Sequence, residues 1–243
     1  MNHFHSDHKI INLLINHLFH RLTFPSGNHS NTRLKDLIRR RNSDDSIALD
    51  HHNLTDADMW IVVADALNEK RCVELDLSRN PGITPDGISI IALALKTNTT
   101  LVSFSLTNDS KFSNASTEAL VRGLETNSHL RVLDLSGNAI EDSGAEQLAE
   151  MLKVNQTLHD LDLANNRIRN QGVQHLASVL RQTNRALKRL SLNFNPVGDG
   201  CVKALIDMLK HNRSLSQLEI LLTNALSVDA KASLSEFGKD RVK

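Results

Sequence analysis

The sequence contains no tyrosine, one tryptophan, two cysteines and four prolines in 243 residues, and aromatic residues make up 3% of it. Cys72 and Cys201 are too few and too far apart for a disulfide framework or a four-ligand zinc site, which favours a reducing compartment, and both read as small buried apolar residues. Charge of one sign is also missing: 28 Lys+Arg face 28 Asp+Glu, so the whole-chain basic excess of a general nucleic-acid binder is absent. No apolar run approaches the roughly 18 to 20 residues needed to span a bilayer. The best stretch, Ile10 to Phe24, is interrupted by Asn12, Asn16, His17, His20 and Arg21, and it lacks the basic segment and small-residue cleavage site of a signal peptide. A cytoplasmic protein without a membrane span is the expectation.

Catalytic signatures are absent as well. The sequence has no phosphate-cradling GxxxxGK[ST], no GxSxG, no HExxH and no dinucleotide-binding GxGxxG, and Gly198-Asp-Gly200 reads as a turn leading into a helix. No enzyme activity, cofactor, metal or small-molecule substrate is expected.

What the sequence does have is repetition. Cys72-Val-Glu-Leu75-Asp-Leu77, Leu101-Val-Ser-Phe104-Ser-Leu106, Leu130-Arg-Val-Leu133-Asp-Leu135, Leu158-His-Asp-Leu161-Asp-Leu163, Leu187-Lys-Arg-Leu190-Ser-Leu192 and Leu215-Ser-Gln-Leu218-Glu-Ile220 share the pattern LxxLxL, and Ile47-Ala-Leu49 is a weaker earlier copy. The last anchor recurs every 28 or 29 residues, a period that signals a repeat architecture. Three residues past the anchor stand Asn80, Asn138, Asn166 and Asn195, with His52, Asp109 and Thr223 as departures. An amide there can accept from and donate to backbone groups left unpaired as the chain leaves a strand, bridging adjacent repeats. Ile83, Phe112, Ile140, Ile168 and Val197 re-enter the core. Apolar pairs four apart follow: Ile91/Leu95, Leu120/Leu124, Leu148/Leu152, Leu176/Leu180 and Leu205/Leu209. Each pair is the inward stripe of a short helix, whose exit is marked by Asn98, Asn127, Asn155 and Asn212.

These motifs resemble the leucine-rich-repeat family, specifically its longer ribonuclease-inhibitor type, and are similar to the repeat regions of NOD-like receptors and tropomodulin. The resemblance covers about residues 44 to 226. It implies an α/β fold: a right-handed solenoid with a curved parallel sheet on the concave face and helices on the convex face. Units of this size cannot bury their own apolar faces and must stack. Three regions are expected: 1–43 as an N-terminal helical cap, 44–226 as six clear repeats plus one degenerate N-terminal repeat, and 227–243 as a C-terminal capping helix and tail. In the first region, Ile10 to Leu22 and Thr32 to Arg41 read as helices separated by Pro25-Ser-Gly-Asn28, with Leu34 and Ile38 pointing inward. Ala225 to Gly238, with Leu226, Val228, Ala232, Leu234 and Phe237, should close the other end, and Lys239 to Lys243 should be mobile.

Two clusters near the start invite functional readings. His3, His5, His8, His17 and His20 contain a common metal-ligand type, but only Asp7 among carboxylates accompanies them and polar decoration explains them better. Residues 1–43 carry seven Lys/Arg against Asp7 and Asp36, leaving 21 basic against 26 acidic residues in the other 200. Arg39-Arg-Arg41 fits a helix C-terminus opposing the helix dipole, and the scarcity of aromatics argues against a nucleic-acid surface.

The concave surface remains. Alternation along each strand sends the anchors inward and their neighbours outward. The outward set includes Glu74, Asp76, Asp134, Asp160, Asp162 and Glu219, an acidic stripe suited to a basic partner, together with Arg79, Asn108, Asn165, Arg189 and Phe194. An exposed aromatic such as Phe194 is the residue type that anchors interfaces. The Leu-Asp-Leu pattern has a second reading, in which Asp serves the turn after the strand. The function implied is a non-catalytic protein–protein interaction scaffold binding a partner protein through this face. The alternatives are a regulator of a small GTPase, or a bacterial effector acting on a host protein in the host-cell cytoplasm.

Overall fold

A computed structural model describes residues 31–42, 45–109, 111–223 and 225–243. The expected helix Ile10 to Leu22 and the histidine cluster lie outside the described residues. Contacts divide the chain into units 1–32 and 33–243, and the description below concerns the second, with α1 beginning one residue before it.

Seven strands form one parallel sheet in sequence order: β1 (Ser46–Ala48), β2 (Glu74–Asp76), β3 (Ser103–Ser105), β4 (Val132–Asp134), β5 (Asp160–Asp162), β6 (Arg189–Ser191) and β7 (Gln217–Glu219). The helices are α1 (Thr32–Arg39), α2 (Met59–Ile61, continuing as a π-helix over Val62–Glu69), α3 (Pro85–Leu95), α4 (Asn114–Leu124), α5 (Asp142–Val154), α6 (Asn170–Gln182), α7 (Val202–His211) and α8 (Val228–Gly238). The register aligns the middle residues Ile47, Leu75, Phe104, Leu133, Leu161, Leu190 and Leu218 in one row. All seven are buried, at most 1% exposed, so the strand period of two puts both flanking rows on the opposite face. The core lies between this row and the inward helix pairs, all of which are buried together with Ile83, Phe112, Ile140, Ile168 and Val197. The result is the right-handed α/β solenoid that the repeats imply.

Buried side-chain amides hold the repeats together. In the first ladder, Asn166 Nδ2 donates to Leu135 O of the preceding repeat at 3.0 Å and to Leu163 O of its own at 3.1 Å, while its Oδ1 accepts from Ile140 N at 3.1 Å. Asn80, Asn138 and Asn195 repeat the arrangement. Asp109 has no amide hydrogens and accepts only locally, from Lys111 N.

A second ladder runs through the helix exits. Asn155 Nδ2 donates to Leu124 O at 2.7 Å and Asn127 O at 3.1 Å, and its Oδ1 accepts from Thr157 N and Leu158 N, both at 2.9 Å. Asn127, Asn184 and Asn212 do the same. Asn184 belongs to this set but is missing from the exit residues read off the sequence, although it too stands three residues before the first Leu of its LxxLxL motif, Leu187. At the ends, cationic side chains take over the donor role. Lys70 Nζ donates to Arg39 O and Arg41 O at 3.0 and 2.7 Å, and Arg241 donates to Leu209 O and Asn212 O at 2.6 and 2.8 Å.

A third set links helix starts. Asp142 Oδ1 accepts from Arg169 N and Gly172 N of the next repeat at 2.7 and 2.9 Å. A Cβ on Gly172 would lie 2.8 Å from that oxygen, so glycine there makes room for the neighbour's carboxylate. Cys201 takes the same repeat position where the helix opens with a short 3-10 turn, Asp199–Cys201.

The C-terminal region departs from expectation in two respects. Lys239 to Lys243 are not a free tail: Val242 is buried and pairs in parallel with Leu218, while Lys243 N donates to Leu218 O and Ile220 N donates to Lys243 O, each at 2.9 Å. The free donors and acceptors of the β7 edge supply the reason. In α8 the buried residues are Ala230, Leu234 and Gly238, preceded by Leu226, whereas Val228, Ala232 and Phe237 are exposed. Ser227 caps the helix by accepting from Ala230 N at 3.1 Å, and that start sets which stripe faces inward. At the other end, Leu34 and Ile38 are buried and Trp60 is half-buried against the core.

Replacing Asn155 with Ala strands several buried backbone groups, each costing about 1–3 kcal/mol. Asn155→Ala is expected to lower stability by about 3 kcal/mol in urea unfolding, and Asn98→Ala by less, because Asn98 Oδ1 accepts from Thr100 N and Leu101 N in the same way but its amide nitrogen reaches Thr100 Oγ1 in its own loop instead of carbonyls of the preceding repeat. Equal effects at the two positions would contradict the cross-repeat account.

Candidate functional site

Each strand presents two outward residues because only its middle one is an anchor. On this face Glu74 is exposed, while Asp76, Asp134, Asp160, Asp162, Arg189 and Glu219 are half-buried. The second reading of Leu-Asp-Leu holds at three positions. Asp76 Oδ1 accepts from Ser78 N at 2.8 Å, Asp134 Oδ1 from Ser136 N at 2.9 Å and Asp162 Oδ1 from Ala164 N at 2.9 Å. These carboxylates close the turn that follows the strand. The second oxygen of Asp162 is taken by Arg189, whereas no bond to the second oxygen of Asp76 or Asp134 is seen among the described residues.

The stripe is not uniformly repulsive, because Arg189 sits within it. Arg189 Nη1 is 2.8 Å from Asp160 Oδ1, Nη2 is 2.9 Å from Asp162 Oδ2, and Nε is 3.0 Å from Glu219 Oε1. Nη2 also donates to Glu219 Oε2 at 3.1 Å, and Gln217 Nε2 donates to Glu219 Oε1. One guanidinium on β6 thus gathers carboxylates from β5 and β7. Burial raises the Glu219 carboxyl, but the hydrogen bonds from Arg189 and Gln217 outweigh it and hold its pKa below the ordinary value. The same three carboxylates hold the Arg189 guanidinium protonated more firmly than usual despite its own burial. Asp134 is the counterpart: burial, with the Asp162 charge beside it, pushes its pKa up against the hydrogen bonds from Ser136 and the attraction of Arg189. Among the described residues, Glu74, Asp76 and Asp134 have no ion-pair partner. Sequence reading placed Arg189 on this face but not its role, since strand order alone does not show that one side chain reaches both neighbours.

Beyond the strands, His51, Arg79, Asn108, Gly137, Asn165 and Phe194 all have positive φ, from 54° to 72°. Each lies two residues past an anchor, where the chain turns off the sheet. Glycine at 137 meets this without strain; the others do not, and the sequence pattern gave no sign of the conformation because five of six are not glycine. Arg79, Asn108, Asn165 and Phe194 are exposed along this rim, and Arg79 Nη1 lies 3.3 Å from His51 Nε2. Phe194 is 58% exposed, and Leu222, its counterpart in the next repeat, is 56% exposed. Leu222 appears in the outward row of the sequence but was not among the candidate binding residues.

Cys72 and Cys201 are fully buried, and burial pushes their thiols up to about 12 and about 11, so neither carries thiolate at neutral pH. Among the described residues no group of His, Cys, Asp and Glu is placed to hold a metal ion, and no helix is long and apolar enough to cross a membrane.

Comparison with known proteins agrees with this geometry. The family described as Leucine Rich repeat matches residues 73–92, 126–149, 154–177 and 183–205. The repeat beginning at Leu101 falls outside these matches; it carries Phe104 and Phe112 at core positions and Asp109 in place of the ladder asparagine. No curated protein matches the chain. Among solved structures, leiomodin-1 actin-binding site 2 superposes with a TM-score of 0.53 at 19% identity, covering 64% of this chain and 88% of that one. The tropomodulin C-terminal domain of Caenorhabditis elegans gives 0.54 at 18% identity, covering 65% and 92%. At these identities the likeness is one of fold.

Two substitutions test the electrostatics of the face. A carboxylate with a depressed folded pKa stabilises above its unfolded pKa, and the contribution is lost as pH falls through the folded value. Wild type should therefore lose the Glu219 contribution below about pH 4.5, the group's ordinary value. Arg189→Met should be destabilised by about 2 kcal/mol at pH 7, between exposed and buried pair values, and by less as the carboxylates protonate. Asp134 has the opposite sign: its raised pKa penalises the folded state above the ordinary 3.8, so Asp134→Asn, which retains an acceptor for Ser136 N, should gain stability at pH 7 and not at pH 3. Urea unfolding across that range checks both, and pH-independent differences would refute them.

Proposed function

We propose that this chain, a leucine-rich-repeat protein, is a protein-interaction scaffold whose partner binds the concave face of the sheet and brings a basic surface to it. The observation that supports the reading is an open sheet face bearing six carboxylates against the one guanidinium of Arg189. Parallel sheets ordinarily have both faces covered, and here helices cover one. Arg189 offsets one negative charge within the group it binds, and among the described residues Glu74, Asp76 and Asp134 have no ion-pair partner. A partner carrying lysines or arginines removes that excess on docking. The field also accelerates the encounter, with a rate that falls as salt shortens the screening length.

Among the described residues the face holds no group of His, Cys, Asp and Glu suited to a metal. One structural neighbour is titled an actin-binding site, which makes actin the first purified protein to try as partner.

The variant Glu74→Lys/Asp76→Asn/Asp134→Asn changes the unpaired charges while Asn retains the acceptors used by Ser78 N and Ser136 N. Capture from cell lysate, quantified by mass spectrometry, should show a basic protein held by wild type. Retention should fall roughly tenfold or more in the variant, an energy of about 1.4 kcal/mol, and fall for wild type when salt is raised from 50 to about 300 mM, where screening is several-fold stronger. Undiminished capture by a folded variant would move the binding surface off this face.

A further inference from the structure

The open face is divided. Its unpaired carboxylates lie on β2 and β4, its paired charges on β5 to β7, and beyond β6 and β7 the rim turns apolar at Phe194 and Leu222. These two residues occupy equivalent positions in adjacent repeats, and Phe194 N donates to Leu222 O at 3.1 Å, so the strand register persists to the rim. We propose that Phe194 and Leu222 form an apolar anchor point, and that the segment occupying the concave face seats an apolar side chain there and extends lysines or arginines across the strands to β4 and β2. This deepens the reading of the acidic face and rests on it.

Phe194 shares its positive φ, 59°, with the equivalent loop residues of the preceding repeats, so what singles out the anchor is the side chain, an exposed ring beside the exposed Leu222. The equivalent positions in other repeats hold His51, Arg79, Asn108, Gly137 and Asn165, which tolerate water; only the last two repeats put a large apolar side chain there. Charge complementarity supplies the rest of the occupant. At β5 to β7 the carboxylates already have Arg189, so cations of the partner find their places further along, at Asp134 and then at Glu74 and Asp76.

Strand spacing sets the distances. Neighbouring strands lie about 4.8 Å apart, so β4 is roughly 10 Å from β6 and β2 roughly 19 Å from it. For an extended segment at about 3.3 Å per residue, basic residues belong about three and six positions from the apolar one. For a helix at about 1.5 Å per residue they belong about six and thirteen positions away.

A phage-displayed library of random 16-residue peptides selected on the folded full chain tests this without a known partner. Enriched peptides should combine an apolar residue with Lys or Arg at one of those two spacings. Synthetic copies, measured by fluorescence anisotropy, should bind Phe194→Ser/Leu222→Ser at least tenfold more weakly than wild type, with both proteins checked for native circular dichroism. Peptides indifferent to Phe194→Ser/Leu222→Ser but lost on Glu74→Gln/Asp76→Asn/Asp134→Asn would overturn the anchor and leave the acidic-face reading standing. Indifference to both variants would reject the two together. Enrichment no better than on heat-denatured protein would reject the anchor alone, the lysate comparison remaining the test of the face.

Discussion

Backbone groups that leave a strand or a helix and find no partner within their own repeat are the constraint on which this fold depends. A three-residue strand and a two- to three-turn helix satisfy only part of their own hydrogen bonding, and burial of the remainder without partners is prohibitive. The solution is a side-chain amide at most exits, with Lys70 and Arg241 as the donors at the two ends of the second ladder. Asparagine alone carries two donors and an acceptor on a short stem, so one residue reaches carbonyls of two repeats and amide groups of a third segment. Stacking then follows from polar satisfaction as much as from the apolar row of Leu75, Leu133, Leu161 and Leu190, and the two requirements share one 28- or 29-residue period.

That division of labour leaves the concave face chemically free. The anchors and ladder residues are committed to the interior, so the outward rows vary without cost to the stack. Variation is what they show: serine in β3, paired carboxylates and arginine in β5 and β6, unpaired acid in β2 and β4. Asp76, Asp134 and Asp162 are intermediate, since one oxygen of each closes a turn, while the second oxygen of Asp162 is held by Arg189. A surface residue with a structural bond on one side is fixed in position before any partner arrives, which reduces the side-chain entropy lost on binding.

Much of this was legible from the sequence because the determinants are local and repeated. The LxxLxL anchors gave the strands, the Ile91/Leu95-type pairs gave the inward helix faces, and Asn80, Asn138, Asn166 and Asn195 gave the first ladder with its bonding pattern. The fixed residues Lys239 to Lys243 and the Arg189 cluster were not legible. Both depend on which backbone or side chain lies 27 to 32 residues away in space, and neither recurs in other repeats. The left-handed turn at Phe194 was hidden for a different reason: four different side chains and one glycine occupy the six equivalent positions, so composition does not mark it. On the face itself, sequence gave the sign of the charge correctly but not its partition into paired and unpaired halves.

The end rungs of the second ladder have a consequence for how such an array changes in length. Lys70 and Arg241 hold the same kind of carbonyl that an asparagine holds inside, reaching it with a long flexible stem instead of a complete repeat. A duplicated 28-residue unit inserted between two interior rungs meets ready-made donors and acceptors on both sides. One added beyond β7 must first displace Arg241 and Val242 from positions they already satisfy. The interior rungs are thus the places where a unit of the same period fits without breaking a bond already made, and the Lys70 and Arg241 rungs are the places where it does not.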